Sequence, residues 1–497
     1  MQMRMFMWRW QHRFQDAIAS LLKSIFQILE LPIVSNTFII GISVDDQKVD
    51  QICLQAEDCG FSPEEFKEVF AIAKDNFDSD PEQFFFMGAA HLNQAHKDSL
   101  YPKALRKAVN SILKQHDLKR KQVSFCSFPV QKNGYWIMTV IQLRQQDFDS
   151  QYRLKKDTHE VHSMRSHRIE RCFLEALIYQ VLEETKLELQ RPSEGNTSSL
   201  GNPERVIEDA ASSLLKSIEV HINQWNKVDL LSFANAISAE RYEGAASKGK
   251  LIICGTNHPD ISAKVKLQTP IKIYNYRGIR KLLEVSSAKM ALLCDVESVW
   301  GLGIALDTYQ PGRENLFEIR FAEYHTWELV HGENIMLRVK YRQARLPRAR
   351  FDKKLFCDRV SELFQVNQTT ANILVKAVET AVKQRHGTIL VITPKAEQES
   401  QRLAAQSTLI EPVIVSKDII SHLSSIDGAI LISPEGIIYS FGVILDGKAS
   451  ENGNSTRGAR YNSAIRYIDG EKSRNINCLA LIVSEDGYVD LYPNLNS

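Results

Sequence analysis

Hydrophobic positions along this chain change period several times, and the changes mark out its elements. The short runs Thr37-Phe-Ile-Ile-Gly-Ile-Ser-Val44 and Trp136-Ile-Met-Thr-Val-Ile-Gln-Leu143 are apolar and β-branched, which predicts strands. Between them, Ser62-Pro-Glu-Glu-Phe-Lys-Glu-Val-Phe70 opens like a helix, with Ser62 as N-cap, Pro63 at the first position and Glu65 closing a capping box. Helical period returns over 169–187, where Leu174, Leu177, Ile178 and Val181 share a face. The stretch from Arg191 to Pro203 is rich in Gly, Pro, Ser and Asn, has almost nothing to bury, and predicts a linker. Another helical stretch covers about 204–245.

From Lys250 to Pro347 the texture turns to strands, at Leu251–Cys254, Ile271–Tyr274, Met290–Val296, Phe317–Phe321 and Ile335–Val339, with a helix-like Gly278–Val285 among them. Gly301-Leu-Gly303 lacks the third glycine and the strand–helix context of a dinucleotide loop, and predicts a tight turn between strands. The basic, extended Leu346-Pro-Arg-Ala-Arg-Phe351 marks a second boundary, and a helical segment runs from Lys353 to Gln384. Beyond it lie the buried-strand run Gly387–Ile392, a hairpin of Ile426–Ile432 and Gly436–Leu445 turning at Ser433-Pro-Glu-Gly436, and a polar stretch from Asp446 to Gly458. A helix from Ala459 to Tyr467 and a last strand pair, Leu479–Val483 and Tyr488–Tyr492, complete a small α/β unit. The expected division is therefore 1–190, an α+β domain; 191–203, a linker; 204–350, a β-rich domain with a leading helix; and 351–497.

A chain of 497 residues agrees with several domains. Lys and Arg total 61 against 60 acidic residues, so no global charge is available to hold nucleic acid or an anionic membrane. With no helix-turn-helix pattern either, no nucleic-acid partner is expected. The eight cysteines form no CxxC pair and sit among apolar neighbours, as small buried thiols of a reducing, cytoplasmic setting do. No stretch has the length of a transmembrane segment. The first ten residues mix aromatics with arginine, and Arg9, His12, Arg13 and Asp16 interrupt any signal-like core. A helix packed on its own domain is the default there, with an interfacial helix as the alternative.

The chemistry gathers near the end. Asp427 enters an apolar strand, where a carboxylate is costly without a metal or a donor, and Gly428 beside it lets a ligand approach the backbone. A Gly/Ser/Asn loop ending at a helix start with Arg460 suits a phosphate chain. Each piece alone also fits a plain turn or a solvated loop; the combination is what points to a site. Elsewhere, His159, His162 and His167 lack the spacing of a zinc helix, and Lys119-Arg-Lys121 is a short charged turn.

Asp427-Gly-Ala429, Gly458-Ala-Arg-Tyr-Asn-Ser-Ala464 and Val483-Ser-Glu-Asp-Gly487 resemble, in order and spacing, the three signatures of diadenylate cyclase domains. The resemblance covers roughly the last 110 to 140 residues. It implies an α+β mixed-sheet nucleotide-binding domain preceded by α+β domains, and an enzyme that joins two ATP into cyclic di-AMP and two pyrophosphates. It further implies Mg2+ or Mn2+ on Asp427, which would help activate the ribose 3′-hydroxyl. Gly428 and Leu445 would line the nucleotide, Arg460 would hold the triphosphate, and Ser484 and Glu485 would face the γ-phosphate and the metal. Two catalytic domains of a homo-oligomer would meet face to face.

This chain departs from the family's Thr-Arg-His-Arg, carrying Ala459, Arg460, Tyr461 and Asn462. Arg466, four residues after Asn462 and so on one helix face with it, and Arg457 in the loop are candidates to replace the lost cation. The alternative is a cyclase-like domain that binds ATP or a cyclic nucleotide without turnover. Arg280-Lys-Leu-Leu-Glu284, Val299-Trp-Gly-Leu-Gly303 and Trp327-Glu-Leu-Val-His331 are similar to sensor modules that precede some cyclase domains, which implies regulation by the N-terminal region.

Overall fold

The computed structural model describes residues 7–31, 33–45, 51–56, 58–84, 90–155, 169–191, 200–222, 228–243, 248–287, 290–346, 351, 353–382, 387–447, 459–483 and 489–493. Their contacts divide the chain into two compact units, Met1–Pro347 and Arg348–Ser497.

The first unit opens with a five-stranded antiparallel sheet of β1 (Ser35–Ser43), β2 (Ile52–Gln55), β3 (Gln122–Cys126), β4 (Val130–Lys132) and β5 (Tyr135–Arg144). Its order is β2-β1-β5-β3, with β4 also on β5. Around it lie α1 (Gln11–Ile28), α2 (Val69–Asp78), α3 (Ala90–Arg120), the short α4 (Gln145–Asp149) and α5 (Phe173–Gln190). Phe38, Ile40 and Ile42 pack with Val69, Leu105 and Val109 on one face, whereas Ile39 joins Leu21, Ile25 and Ile178 on the other. Burial on both faces explains why β1 and β5 read as continuous apolar runs. The capping box at Ser62 forms, its backbone N–H donating to Glu65 at 2.6 Å. It closes a 3-10 turn, Pro63–Phe66, and α2 starts only at Val69.

After α5, the helical stretch expected over 204–245 is two helices, α6 (Pro203–His221) and α7 (Leu230–Ala239). Then comes an eight-stranded sheet: β6 (Gly249–Ile253), β7 (Ile261–Lys272), β8 (Ala291–Cys294), β9 (Ser298–Ala305), β10 (Phe317–Glu323), β11 (Thr326–His331), β12 (Asn334–Lys340) and β13 (Gln343–Arg345). Its order is β13-β12-β11-β10-β6-β8-β9-β7; β6 and β8 run parallel, and α8 (Tyr276–Leu283) connects β7 to β8.

Gly301 and Gly303 correct the sequence reading. They lie inside β9, not in a turn, and a Cβ on either would stand 2.5 Å from a carbonyl oxygen of β7, that of Val265 or Ser262. Two glycines on one strand face let β7 press close, a use of glycine that a turn reading misses. One core runs from Met7 to Leu346 and joins α1, α5, α6 and α7 to the eight-stranded sheet through Leu214, Ile218, Ile237, Leu251 and Phe317. Trp327 is buried in it and donates its indole N–H to Asn235 at 2.8 Å. Arg280 is buried too, paired with Glu284 and donating to the Glu240 carbonyl at 3.3 Å.

The second unit is a mixed sheet of β14 (Thr388–Ile392), β15 (Thr408–Ile414), β16 (Ala429–Ile432), β17 (Ile437–Val443), β18 (Leu479–Val483) and β19 (Val489–Tyr492). The order is β15-β17-β16-β14-β18-β19, with β14 and β16 parallel and the other pairs antiparallel. Its helices are α9 (Lys353–Phe364), α10 (Gln368–Val382), α11 (Ala396–Arg402), α12 (Lys417–Leu423) and α13 (Ala459–Ser473). Leu390, Ile392, Ile430 and Leu481 pack with α9 and α10, while Val391, Ala429, Leu431 and Ala480 pack with Tyr467 and Ile468 of α13.

The single helix expected from Lys353 to Gln384 is broken at Gln365, whose φ is +55°, and restarts behind Asn367, which accepts from the Thr370 N–H at 2.9 Å. The edge strand β15 has no counterpart among the strands that the sequence predicts. Pro412 and Glu411 interrupt its pattern, and its pairing with β17 shifts register between Leu409 and Val413, as proline in an edge strand requires. The turn at Ser433–Gly436 forms, with the Gly436 N–H donating to the Ser433 carbonyl at 2.9 Å. All eight cysteines are buried thiols. Among the described residues, no helix is long and apolar enough to cross a membrane.

Candidate functional site

The site starts from two glycines. Gly428 has φ +120° and Gly442 φ +62°, and a Cβ on Gly428 would stand 2.5 Å from the Gly442 carbonyl carbon. The two backbones cross where β16 and β17 lose register, between Ala429 and Leu431. The missing Cβ of Gly428 is therefore used in a chain-to-chain approach that its sequence context does not show. The same crossing turns 426–428 out of the sheet. The expected strand from Ile426 begins only at Ala429, and Asp427 is not a buried strand carboxylate: its side chain is 83% exposed. The cost of burying a charge is avoided by never burying it.

Asp427 instead faces Arg460 in the first turn of α13. Its Oδ1 accepts from Nε at 3.1 Å and from Nη2 at 2.9 Å. Ala429 is buried at the start of β16, paired with Ile389 and Val443. Leu445 lies just past β17, buried, and its carbonyl accepts from Ser463 of α13 at 3.3 Å. Arg466 is exposed and donates from Nε to the Asn462 carbonyl at 3.0 Å, which lays its side chain toward the N-terminal end of α13. The structure thus brings Asp427, Gly428, Arg460, Leu445, Asn462 and Arg466 to one region. Arg457, Gly458, Ser484 and Glu485 lie outside the described residues, as do His159, His162 and His167.

A network the sequence reading missed fixes the loop root behind Leu445. Arg402 binds the Asp446 carboxylate with two bonds, Nη1 at 2.6 Å and Nη2 at 2.8 Å. The same guanidinium holds buried Glu399, Nη2 at 2.7 Å, and Glu399 also accepts from the Tyr467 hydroxyl at 2.9 Å. Gly447 rests on the backbone of α13, where a Cβ would meet the Arg466 carbonyl at 2.7 Å. Forty-four residues separate Arg402 from Asp446, and no local pattern couples them.

The Arg402 guanidinium holds the Asp446 carboxyl below its ordinary value. A depressed carboxylate contributes stability that is complete above the ordinary range near 4 and is lost as pH falls through the lowered value. Asp446→Asn is accordingly expected to cost about 0.5–1 kcal/mol at pH 7, the worth of a half-exposed pair. In denaturant melts the gap to the parent protein should narrow as pH falls below about 4. A gap that stayed constant over that range would remove the charge from the explanation. Burial, with Glu399 next to it, pushes the Tyr467 hydroxyl up, and burial with the same neighbour raises Glu471.

The described residues contain no cluster of three metal-ligating side chains. The donor set present is a single exposed carboxylate, whose Oδ2 has no partner among the described residues. Mg2+ and Mn2+ take oxygen donors and often use one or two carboxylates plus substrate phosphates, so such an ion fits this edge better than it would a protein cage.

Residues 375–495 match the family model described as "DisA bacterial checkpoint controller nucleotide-binding". Residues 7–215 match "Probable sensor domain DACNG" and 228–333 match "Probable sensor domain DACNH". No curated protein matches the chain.

Proposed function

We propose that the second unit, whose residues 375–495 match the DisA-type nucleotide-binding model and which follows two probable sensor domains, acts as a diadenylate cyclase and condenses two ATP into cyclic di-AMP. The observation that supports this reading most is the exposed Asp427–Arg460 pair. A carboxylate and a guanidinium from elements 33 residues apart meet beside a backbone crossing that admits no side chain. An exposed ion pair adds little stability, so its placement is better explained by a ligand.

In this reading Asp427, with Glu485, would hold Mg2+ or Mn2+, which would supply charge neutralisation for the phosphates and acidify the 3′-hydroxyl. Arg460 turns its fork of donors from Asp427 to the triphosphate, which offers more negative charge than one carboxylate. Backbone at Ala429 and Leu445 lines the nucleoside, and Ser484 faces the γ-phosphate. Each 3′-oxygen displaces pyrophosphate from the α-phosphorus of the other ATP, so two phosphodiester bonds form and two pyrophosphates leave. One unit presents one such edge, and ring closure therefore calls for two units of a homo-oligomer facing each other. Positioning and charge neutralisation supply most of the rate. The first unit regulates.

Incubation of the purified chain with ATP and Mn2+, followed by mass detection of cyclic di-AMP, tests the reading. ATP binding without product would favour a nucleotide-binding role for the altered Ala459–Asn462 motif. Arg466 takes over from the cation missing at Asn462, since its side chain already runs toward that end of α13. Arg466→Gln is expected to weaken ATP binding roughly tenfold, the loss of one charge-assisted phosphate contact. Arg457→Gln is the parallel variant. Affinities within twofold of the parent for both would end the compensation idea.

A further inference from the structure

In the first unit, one face of the β6–β8–β9 sheet is covered by two loops and not by a helix. The loops are 254–260, after β6, and 306–316, before β10, and beneath them lie Ile252, Cys254, Ala291, Leu293 and the ring of Trp300. They are tied to each other. Buried Asp260 pairs with Arg313 and accepts from the Thr308 hydroxyl at 3.0 Å, and the Leu306 N–H donates to the Asp260 carbonyl at 2.8 Å. The His258 and Tyr309 rings meet edge-on, 5.9 Å between centroids, and the Tyr309 hydroxyl lies 3.5 Å from the Leu316 carbonyl.

Three buried polar atoms, one in each loop and one on β9, have no hydrogen-bond partner among the described residues: His258 Nε2, Asn315 Oδ1 and Trp300 Nε1. The Asp260 N–H donates to His258 Nδ1 at 3.2 Å, so the neutral ring carries its proton on Nε2. Two donors and one acceptor are therefore shut from solvent with no partner among the described residues. Buried polar atoms are nearly always satisfied, and an orphan costs its full desolvation. Trp327, on the opposite face, shows the ordinary outcome, its N–H paired with Asn235. Three orphans in these loops and the strand beside them, on the sheet of a sensor-type domain, point to a partner that the described residues do not supply.

We propose that this face binds a small, flat, uncharged heterocycle that offers two hydrogen-bond acceptors and one donor. The floor is apolar and the walls are the aromatic rings of Trp300, Tyr309 and His258. The Asp260 carboxylate is already neutralised by Arg313, so it does not call for a cationic ligand. The inference rests on the regulatory reading of the first unit and gives it a site and a ligand class.

The probe is uracil, with two carbonyl acceptors and ring N–H donors, against 1,3-dimethyluracil, whose donors are methylated. Calorimetric titration of the full chain is expected to show saturable uracil binding, with the dimethyl compound at least tenfold weaker. Asn315→Leu should abolish uracil binding and raise the melting temperature of the ligand-free protein by about 2–4 °C, because the orphan acceptor is gone. Trp300→Phe should weaken binding in the same way. Absence of saturable uracil binding, or binding unchanged in Asn315→Leu, overturns the proposal. So does a lower melting temperature of that variant together with ordered water on the three atoms in a crystal. ATP binding measured on the same samples keeps the two readings apart. Failure of uracil with ATP binding intact counts against this site alone, and missing product with uracil bound counts against the cyclase.

Discussion

Asp427→Asn is expected to melt within about 1 °C of the parent protein and to lose cyclic di-AMP formation by on the order of a thousandfold. The stability half of that expectation follows from exposure. The side chain is 83% exposed and its partner is Arg460, an arrangement worth roughly 0.5 kcal/mol, of which asparagine keeps a neutral hydrogen bond. The activity half follows from chemistry. Asparagine has the shape of aspartate but neither the charge to hold a divalent cation nor the basicity to favour proton loss from a hydroxyl. Product quantified by mass, beside a melting curve for each protein, measures both halves. Parental turnover in the variant would remove the metal role from Asp427.

Gly428→Ala should act in the opposite sense, through the fold. At φ +120° an L-residue is strained, and its Cβ would overlap the Gly442 backbone at 2.5 Å, which no rotamer relieves. We expect a cost of about 3 kcal/mol or more, a drop of roughly 6–12 °C for the second unit. Gly470→Ala is the control. It lies in α13 with nothing within 4 Å of an added Cβ, and alanine there should stabilise by about 0.5–1 kcal/mol. A Gly428→Ala protein as stable as the parent would mean that the crossing opens more readily than this geometry allows.

The sequence made the strands of both units legible wherever burial on two faces produced apolar runs, as in β1, β5, β14 and β18. It concealed those whose pattern is broken for a physical reason. β15 carries Pro412 at a register shift, and β9 carries two glycines because β7 presses on it. At the site, the identities of Asp427, Gly428 and Arg460 were visible, but not their environment. Apolar neighbours on both sides implied a buried carboxylate, and only the crossing with Gly442 reveals why the segment turns outward. Arg402, Glu399 and Tyr467 escaped notice because each looks like an ordinary helix residue until the chain brings them round Asp446.

The core that runs without interruption from Met7 to Leu346 has a consequence for inheritance. Two sequence families share that core, since α6 packs on α7 although 7–215 belongs to the first match and 228–333 to the second. Neither half can be swapped for an unrelated module without stripping apolar surface from the other. Recombination that moves them should move them as a pair, and drift on one side of the shared core should be answered by volume changes on the other.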